Sequence, residues 1–287
     1  MSAYRRGSVS SADGTIIGYR QLGSGPAVLV LHGGMQTSQH MLKLASTLSA
    51  AFTVYVPDRR GRGLSGGHGD DVGVMREVED LQALVTATGA SRAFGLSSGA
   101  LVVLRTALVS PTLERVALYE PPLSVDGSAP TDWGPRFDRE IAAGKPASAL
   151  VTALKGTRTE PVLGRLPRLV LVPLLAIGAR LQGDVAEDDV PIAALIPTQR
   201  FDLQVVREMA ETAKDYAALD AQVLLLGGTK SPRHICALRW MSFPPCSHTR
   251  AVSPSRAWDT QAQRTARAPS AWARPCATSS GRRTADR

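Results

Sequence analysis

The stretch Gly95-Leu96-Ser97-Ser98-Gly99 decides the fold, because it joins a strand-like run to a helical run through a serine. Residues 92–94 before it favour a strand, and residues 100–108 after it are rich in Leu, Val and Ala, which favours a helix. Glycine at both ends indicates a turn too tight for larger side chains. Such a turn lifts the Ser97 hydroxyl above the sheet edge and aims the first N–H groups of the helix at the same place. We therefore predict a nucleophile at Ser97; the alternative is a glycine-rich turn that needs small residues and does no chemistry.

Strand and helix patterns alternate on both sides of this turn, which predicts an α/β fold with a mostly parallel sheet. Asp13-Gly14 predicts a hairpin near the start of the chain, and Ser38 is a candidate N-cap for the first helix. Apolar runs predict further strands at residues 27–31, 52–56, 113–119 and 221–226, and helical spacing predicts helices at 38–48 and 74–87. Between residues 124 and 218 the strand signals stop and mostly helical patterns replace them, so we expect one domain with a helical insertion.

Two further motifs precede Ser97. His32-Gly33-Gly34 follows the first apolar strand, and Pro-Asp-Arg-Arg-Gly-Arg-Gly-Leu-Ser spans residues 57–65. In this order the three motifs resemble the α/β-hydrolase superfamily, in particular its capped bacterial esterase-like and C–C-bond-hydrolase-like members. The resemblance covers roughly residues 4–232 and is specific for the fold rather than for the substrate. It implies an α/β-hydrolase fold, with helices on both faces of the sheet and a helical cap over the mouth of the Ser97 pocket.

The resemblance divides the chain into four predicted parts. The first part of the hydrolase core comprises residues 1–123, the helical cap insertion residues 124–218, and the core strand after the cap residues 219–232. Residues 233–287 are predicted to be an aberrant, disordered tail. We expect the last strand and the last helix of the fold to be missing.

The resemblance also implies the groups that would stabilise an oxyanion and orient a base. The backbone N–H of Ser98 would be one oxyanion donor, and that of Gly34, or of Met35 beside it, would be the other. The loop after the strand at 221–226 carries no carboxylate, and some members place the acid after the strand that follows the nucleophile. Glu120 stands there, so it is the candidate triad acid; the alternative is a structural carboxylate that binds nearby backbone N–H groups.

No histidine stands where the superfamily has its catalytic base, which is late in the chain after the last strand. His32 belongs to the oxyanion motif, His40 to a predicted helix and His68 to a surface-type loop. His234 comes too early, and no strand signal precedes His248. We therefore predict that the base is absent from the printed sequence.

The C-terminal part of the chain differs abruptly in composition from the rest. Residues 1–232 hold equal numbers of basic and acidic side chains, whereas residues 233–287 hold ten Arg, no Lys and two Asp, which accounts for the whole net charge of +8. The same segment holds all three cysteines and three of the four tryptophans. A natural disordered tail is poor in both residue types. Arginines without a recognisable module do not make a nucleic-acid-binding site, so we expect no nucleic-acid partner.

A shift of reading frame near residues 231–235 explains this change of composition. When each codon starts at the third base of the codon before it, Trp258-Asp259-Thr260 reads Leu-Gly-His if the free bases are C. The glycine follows from the genetic code alone, and the histidine follows from an Asp259 codon that ends in C. The resemblance implies a base late in the chain, after the last strand, in a Gly-x-x-His context. We therefore predict that a frameshift has removed the catalytic histidine, together with the last strand and helix.

The predicted function is that of a serine hydrolase acting on an ester, lactone or related small carbonyl compound with an apolar acyl group, through an acyl-enzyme and without cofactor or metal. Its activity would be impaired by the loss of the histidine. The alternative is a non-catalytic hydrolase-like remnant or a small-ligand-binding protein. The longest apolar run, Leu166 to Leu181, is interrupted by Arg168, Pro173 and Arg180, and the start of the chain lacks an apolar leader. We therefore expect a cytoplasmic protein without a membrane partner.

Overall fold

The computed structural model describes residues 4–158, 165–181 and 189–228, and the following account concerns these residues. They form a seven-stranded sheet of order β1-β2-β4-β3-β5-β6-β7. The strands are β1 (Arg5–Ser10), β2 (Ile16–Leu22), β3 (Ala27–Leu31), β4 (Thr53–Pro57), β5 (Arg92–Leu96), β6 (Arg115–Tyr119) and β7 (Gln222–Leu226).

Most of the sheet is parallel, as the sequence predicted. β1 and β2 form the predicted antiparallel hairpin, and β2 joins β4 antiparallel, whereas every pairing from β4 through β3, β5 and β6 to β7 is parallel. At the hairpin turn, Asp13 accepts a hydrogen bond from the Thr15 N–H at 2.9 Å. The parallel strands therefore end at one edge of the sheet, and the residues that follow them meet there.

The helices are α1 (Leu42–Leu48), α2 (Val74–Thr88), α3 (Ser98–Val109), α4 (Gly134–Ala142), α5 (Pro146–Thr157), α6 (Arg168–Leu181), α7 (Ile192–Leu195) and α8 (Gln199–Glu208). Short 3₁₀ turns occur at Ser38–Met41, Ile196–Thr198 and Thr212–Ala218.

Helices cover both faces of the sheet, and alternate residues of β3 pack against the helices on opposite faces. Leu29 and Leu31 belong to an apolar cluster shared with α2 and α3. Val28 and Val30 belong to another cluster, shared with α1 and β4. Successive strand residues point to opposite faces, so a strand between two helical layers must be apolar at every position. The continuous run at 27–31 has this composition, and the predicted α/β architecture is confirmed.

Five of the described helices, α4 to α8, lie between β6 and β7 along the chain. Three of them, α4, α5 and α8, share a third apolar cluster with the 3₁₀ turn at Ile196–Thr198. Trp133 and Phe137 pack edge to face in this cluster, with ring centroids 5.9 Å apart. Met35, from the loop after β3, packs against the same cluster. This contact brings the helical segment to the sheet edge at which the parallel strands end.

The helix α6 lies within the segment predicted to be the cap, and one of its faces is exposed. Leu169 is 89% exposed, and Leu174 and Ile177 are each 53% exposed. Leu171 points the other way and is fully buried. In the part of the chain that the structure describes, no helix has both the length and the apolar character needed to cross a membrane.

Two local predictions were wrong in detail. Thr37, rather than Ser38, is the N-cap of the first helical turn. Ser38 is buried and forms hydrogen bonds within the core. The Ser38 N–H donates to Asp58, and the Ser38 hydroxyl contacts Arg20. The helix predicted to begin at residue 100 begins at Ser98, because the turn after β5 takes only one residue.

Candidate active site

Ser97 occupies the one-residue turn between β5 and α3 and has an unusual backbone. Its φ of 52° and ψ of −124° lie in a region that costs a non-glycine residue energy, and such strain concentrates at functional sites. Its N–H donates to the Tyr119 carbonyl at 2.8 Å, which ties the turn to the end of β6. A side chain at Gly95 would come within 2.5 Å of the Ala100 Cα, and one at Gly99 would overlap the His32 carbonyl oxygen. Both glycines are therefore required by the close approach of backbone.

The loop after β3 lies against this turn. A Cβ atom at Gly33 would stand 3.2 Å from the Ser97 Cβ, so the two residues are in contact. The Gly33 N–H donates to the Gln36 side chain at 3.0 Å, which holds the loop in place. A Cβ at the next residue, Gly34, would stand 2.7 Å from the Gln199 Oε1. The loop therefore lies between Ser97 and the helix α8.

Ser98 has a side-chain role that the sequence did not indicate. It is the first residue of α3, so its backbone N–H belongs to the helix end that lacks intrahelical partners. Its hydroxyl donates to the Asp202 Oδ1 at 2.7 Å and lies 3.0 Å from an Arg59 nitrogen that donates to it. Asp202 comes from α8, also faces Gly34, and is 1% exposed. Ser97, Ser98 and Gly34 are therefore brought together at one sheet edge.

Asp202 is the centre of a buried ionic cluster. Its two oxygens accept from Arg59 and Arg62, each at 2.7 Å. Arg59 also forms a two-pronged pair with Glu77 of α2, at 2.5 and 2.6 Å. Arg62 further donates to the Gly33 carbonyl at 3.2 Å. Two cations and two anions thus cancel formally, which is the condition under which charges can be buried.

The electrostatics of the cluster keep Asp202 ionised. Burial by itself acts to raise the pKa of this carboxyl group, but the guanidinium groups of Arg62 and Arg59 and the hydroxyl of Ser98 outweigh burial and lower the pKa to about 2. Asp202 therefore holds Ser98 as a charged acceptor throughout the neutral range.

His32 has a structural role, because both of its ring nitrogens contact backbone groups. Its Nδ1 lies 2.9 Å from the Gly33 carbonyl and its Nε2 accepts from the Arg59 N–H at 3.1 Å. These contacts define the neutral tautomer that carries its proton on Nδ1. Burial, followed by the positive charges of Arg62 and Arg59, lowers the pKa of His32 well below its usual value. With both nitrogens occupied, His32 cannot take a proton from Ser97.

The other two histidines of the described residues are also engaged. His40 lies in the 3₁₀ turn before α1, where its Nδ1 accepts from the Thr37 N–H at 3.1 Å. His68 stacks on Phe201 with ring centroids 3.4 Å apart, so it is more buried than the predicted surface loop implied. Burial lowers the pKa of His68 to about 4. Within the described ranges, no histidine hydrogen-bonds to Ser97; His234 and His248 lie outside them.

Glu120 follows β6 directly and has a positive φ of 48°. Its N–H donates to the Leu226 carbonyl at 2.9 Å, and its Oε1 accepts from the Gly228 N–H at 2.9 Å. Ser97 and Glu120 thus follow adjacent strands at the same sheet edge, and the Glu120 carboxylate reaches the end of β7. The hydrogen bond from the Gly228 N–H is consistent with a structural carboxylate, and the position directly after β6 is consistent with a triad acid. The role of Glu120 as the triad acid therefore stays a prediction.

Sequence reasoning missed three residues at this edge, namely Gln199, Asp202 and Arg59. The three arginines of residues 59–62 were a usable signal, because buried arginines require acidic partners. The signal could not indicate which acids these are, since Asp202 lies 143 residues from Arg59. Among the described residues, no group of His, Cys, Asp and Glu side chains is arranged to hold a metal ion.

A model of the Alpha/beta hydrolase family matches residues 28–274, and the chain therefore belongs to this family. An alpha/beta hydrolase from Sphaerobacter thermophilus has a similar crystal structure, with 31% identity, a TM-score of 0.70, and coverage of 86% of this chain and 91% of that one.

Similarity extends to deformylases. N-formylmaleamate deformylase of Pseudomonas putida is 34% identical over 132 residues, which are 44% of this chain and 49% of the relative. The match thus spans about half the length of this curated relative. The crystal structure of an N-formylmaleamic acid deformylase variant from Pseudomonas putida is 20% identical, with a TM-score of 0.59 and coverage of 90% of this chain and 97% of that one. At this identity the structural likeness supports the shared fold.

Proposed function

We propose that this α/β hydrolase is built as a serine hydrolase that attacks an ester, lactone or related carbonyl compound through an acyl-enzyme. The observation that carries the proposal is the strained backbone of Ser97, held between β5 and α3 in contact with the Gly33-Gly34 loop. A serine held in this way has its hydroxyl beside two sets of backbone N–H groups, where a carbonyl carbon can be attacked and its oxygen stabilised.

In the proposed reaction, the Ser97 oxygen forms a bond to the carbonyl carbon while a base takes the hydroxyl proton. The N–H groups of Gly34 and Ser98 stabilise the oxyanion of the tetrahedral intermediate. The base returns the proton to the leaving group. The base then takes a proton from a water whose oxygen attacks the acyl carbon, the Ser97 oxygen departs and takes up that proton, and the carboxylic acid product is released. Glu120 is proposed as the acid that orients the base, since it stands beside Ser97 in the sheet order and reaches the end of β7.

The base is proposed to be a histidine that the frame of this sequence does not encode. The three histidines of the described residues are engaged elsewhere, which supports this proposal. The shifted reading across Trp258-Asp259-Thr260 supplies a Gly-His at the expected place in the chain. Sequencing the gene across codons 228–240 tests this directly, and an unshifted reading frame in an independent clone would contradict it.

The proposed substrate is a small molecule with an apolar acyl group. Met35 stands next to Gly34 and packs against the apolar cluster of Trp133 and Phe137, which provides an apolar wall near the proposed oxyanion site. The similarity to an N-formylmaleamate deformylase supports a carbonyl substrate. The helices α4 to α8 are proposed to act as the cap that selects the substrate.

Covalent labelling tests the proposal. A fluorophosphonate probe is expected to label Ser97 in the full chain, slowly because the base is missing, and Ser97→Ala is expected to lower labelling by more than about 100-fold. Ser10→Ala is the control, because it removes the hydroxyl of an exposed serine of β1 and leaves the nucleophile in place. Labelling that survives Ser97→Ala would remove this serine from the mechanism.

A non-catalytic hydrolase-like protein that binds a small ligand is the second candidate. The engagement of all three described histidines favours it. A chain that is folded but unlabelled, and that stays inactive after the frame is restored, would support this candidate over the hydrolase.

A further inference from the structure

Arg62 binds its carboxylate through one nitrogen only. Its Nη2 donates to Asp202 at 2.7 Å, and its Nη1 donates to the Gly33 carbonyl at 3.2 Å. Its buried Nε has no hydrogen-bond partner among the residues that the structure describes. A buried N–H without an acceptor is costly for the folded state, and native proteins keep few of them. The guanidinium group therefore gives up one bond in order to span a carboxylate and a peptide group.

The two other arginines of this loop show the usual geometry. Arg59 and Arg60 each donate from Nε and Nη2 to a single carboxylate. This two-pronged pairing is the stronger way for a guanidinium group to bind a carboxylate. An arginine that served only to neutralise Asp202 would adopt it as well. The different orientation of Arg62 indicates a second task, which is to hold the Gly33 carbonyl.

The Gly33 carbonyl fixes the direction of the next N–H group along the chain. It accepts from the Arg62 Nη1 and from the His32 Nδ1, the latter at 2.9 Å, so both of its lone pairs are engaged by buried donors. A trans peptide holds its C=O and N–H in one plane and pointing in opposite directions. The peptide between Gly33 and Gly34 is trans, so the Gly34 N–H points away from Arg62 and His32. Within the described ranges this N–H donates to no protein acceptor.

Asp202 connects this peptide to the second proposed oxyanion donor. Its Oδ2 accepts from Arg62, and its Oδ1 accepts from the Ser98 hydroxyl at 2.7 Å. Ser98 supplies the other backbone N–H of the proposed oxyanion hole. Asp202 and Arg62 are both buried, so water does not compete for these bonds. One carboxylate of α8 thus links the two chain segments whose N–H groups must converge on the same oxygen.

We propose that Arg62 and Asp202 are positioning residues that hold the two oxyanion donors at a fixed separation before a substrate binds. The inference rests on the proposed function for the role of the Gly34 and Ser98 N–H groups. Donors that are already aligned stabilise the developing charge without reorganisation, and a small displacement of one donor lowers the rate. Because Asp202 comes from α8, the segment proposed as the cap also helps to build the oxyanion hole.

The first readout is the rate of fluorophosphonate labelling of Ser97 in the full chain. A series of probe concentrations separates the rate constant of the bound probe, kinact, from its dissociation constant, KI. The phosphonyl oxygen takes the place of the oxyanion, so a loss of alignment acts on kinact. Arg62→Met and Arg62→Lys are each expected to lower kinact about 10-fold or more and to change KI less than about 2-fold. Lysine keeps the charge opposite Asp202, but its single nitrogen does not replace the two nitrogens that reach the carboxylate and the carbonyl.

Arg60→Met and Arg60→Lys are the matched controls. Arg60 stands two residues away, is 1% exposed and donates to Asp80 and Asp13, and in the described part of the chain it forms no hydrogen bond to the Gly33-Gly34 loop. These variants alter a buried ion pair of the same kind and are expected to keep kinact. Circular dichroism melting establishes which variants are folded. If the methionine variants unfold, the two lysine variants decide the test.

The second readout is the peptide that Arg62 contacts. The sequence contains three Gly-Gly pairs, at residues 33–34, 66–67 and 227–228. When glycine carries ¹³C at its carbonyl and ¹⁵N at its amide, an HNCO spectrum contains only the N–H groups of Gly34, Gly67 and Gly228. Gly67→Ala and Gly228→Ala identify two of these signals by their loss. A hydrogen bond deshields a carbonyl carbon, so both Arg62 variants are expected to shift the Gly33 carbonyl signal upfield and to leave the other two signals in place.

The inference requires both changes together. A lower kinact without the carbonyl shift, a carbonyl shift without a lower kinact, or an equal loss of kinact in the Arg60 variants would each overturn it. Failure of the proposed function is distinguishable from these outcomes. If Ser97 is never labelled in the unsubstituted chain, the proposed function fails and the oxyanion role fails with it. Labelling that is unaffected in the Arg62 variants leaves the hydrolase standing and removes the role of the pair.

Discussion

The sheet side of the candidate site is made of backbone, whereas its α8 side is made of polar and charged side chains. On the sheet side, Ser97 is held by the close approach of β5, α3 and the loop after β3, with glycine wherever two backbones meet. On the α8 side, Asp202 and Gln199 reach Ser98 and Gly34 from more than 100 residues further along the chain. The first side is specified by neighbours in sequence, and the second by neighbours in space.

The two sides also differ in what a substitution disturbs. On the sheet side an added methyl group meets backbone that cannot move, so steric overlap dominates. On the α8 side, loss of the Asp202 carboxylate leaves the buried Arg62 without its carboxylate partner and Arg59 with Glu77 alone, so desolvation dominates. This difference predicts separate consequences for catalysis, stability and pH dependence.

The largest effect is expected for the acid proposed at the sheet edge. In a frame-restored protein, Glu120→Gln should lower kcat by roughly 10²–10⁴-fold, because a triad base that loses its orienting carboxylate is held in the wrong tautomer. The measurement is steady-state hydrolysis of a chromogenic ester. Glu114→Gln is the control that should leave kcat unchanged, because Glu114 is an exposed residue directly before β6. Equal turnover in the Glu120 variant would assign the acid elsewhere.

The next effect falls on stability and on the α8 side. Asp202→Leu should lower the free energy of unfolding by about 3–5 kcal/mol, because Arg59 and Arg62 lose the carboxylate that they share in the core. Urea unfolding followed by tryptophan fluorescence measures it.

Asp71→Asn is the matched control for that experiment, because its pair with Arg76 lies at the surface, where water screens the charges, and its loss should barely change stability. A similar loss in both variants would mean that the buried cluster is not the stabilising element that its geometry indicates.

A smaller loss of stability is expected on the sheet side. Gly99→Ala should cost about 1–3 kcal/mol, because the new methyl group overlaps the His32 carbonyl oxygen and the elbow must shift. Gly67→Ala is the control, since nothing lies within 4 Å of its Cβ position, and it should change stability by less than about 0.5 kcal/mol. If the two variants unfold at the same urea concentration, the elbow is more adaptable than its contacts imply.

The smallest effect is a dependence of stability on pH. The folded-state pKa of His32 is far below 6.5 and that of His68 is about 4, so the unfolded chain binds more protons below pH 6.5 and stability falls as pH decreases. The slope should approach about 1.4 kcal/mol per pH unit for each proton. Below pH 3.8, Asp202 adds to the loss as pH falls toward its folded-state pKa of about 2.

Urea midpoints at pH 7.5, 6.0, 5.0 and 4.0 measure this dependence. His68→Leu should remove the contribution of that imidazole to the slope of unfolding free energy against pH between pH 6.5 and 4. Asp202→Asn should leave this part of the slope unchanged. A midpoint that stays constant from pH 7.5 to 4.5 would show that the buried imidazole of His32 accepts a proton without cost.

Much of the sheet and of the elbow could be predicted from residues close together in sequence. The uninterrupted apolar run at 27–31 indicated a strand covered on both faces, and the two glycines around Ser97 indicated a tight turn. Both are consequences of strand geometry and backbone contact, which act over a few residues. The bounds moved by one or two residues, as at Ser98, because the turn itself decides where the helix starts.

The α8 side could not be predicted in the same way. Arg59 required a buried acid, but the sequence offers many acids, and only packing brings Glu77 and Asp202 to it. The exposure of Leu169 on α6 could not be predicted from the sequence either. An apolar helix has the same composition whether its outer face is covered by other residues or exposed.

The sequence by itself determined the α/β architecture, the order of the three motifs and the position of Ser97 at the end of β5, because periodicity and glycine placement act locally. The tertiary structure alone decided that Ser98 is held by Asp202, that His32 is occupied at both nitrogens, and that the Gln199 oxygen faces Gly34. These arrangements depend on which distant side chains pack together in the core. A buried charge pairs with the group that packing places beside it, whatever their separation along the chain.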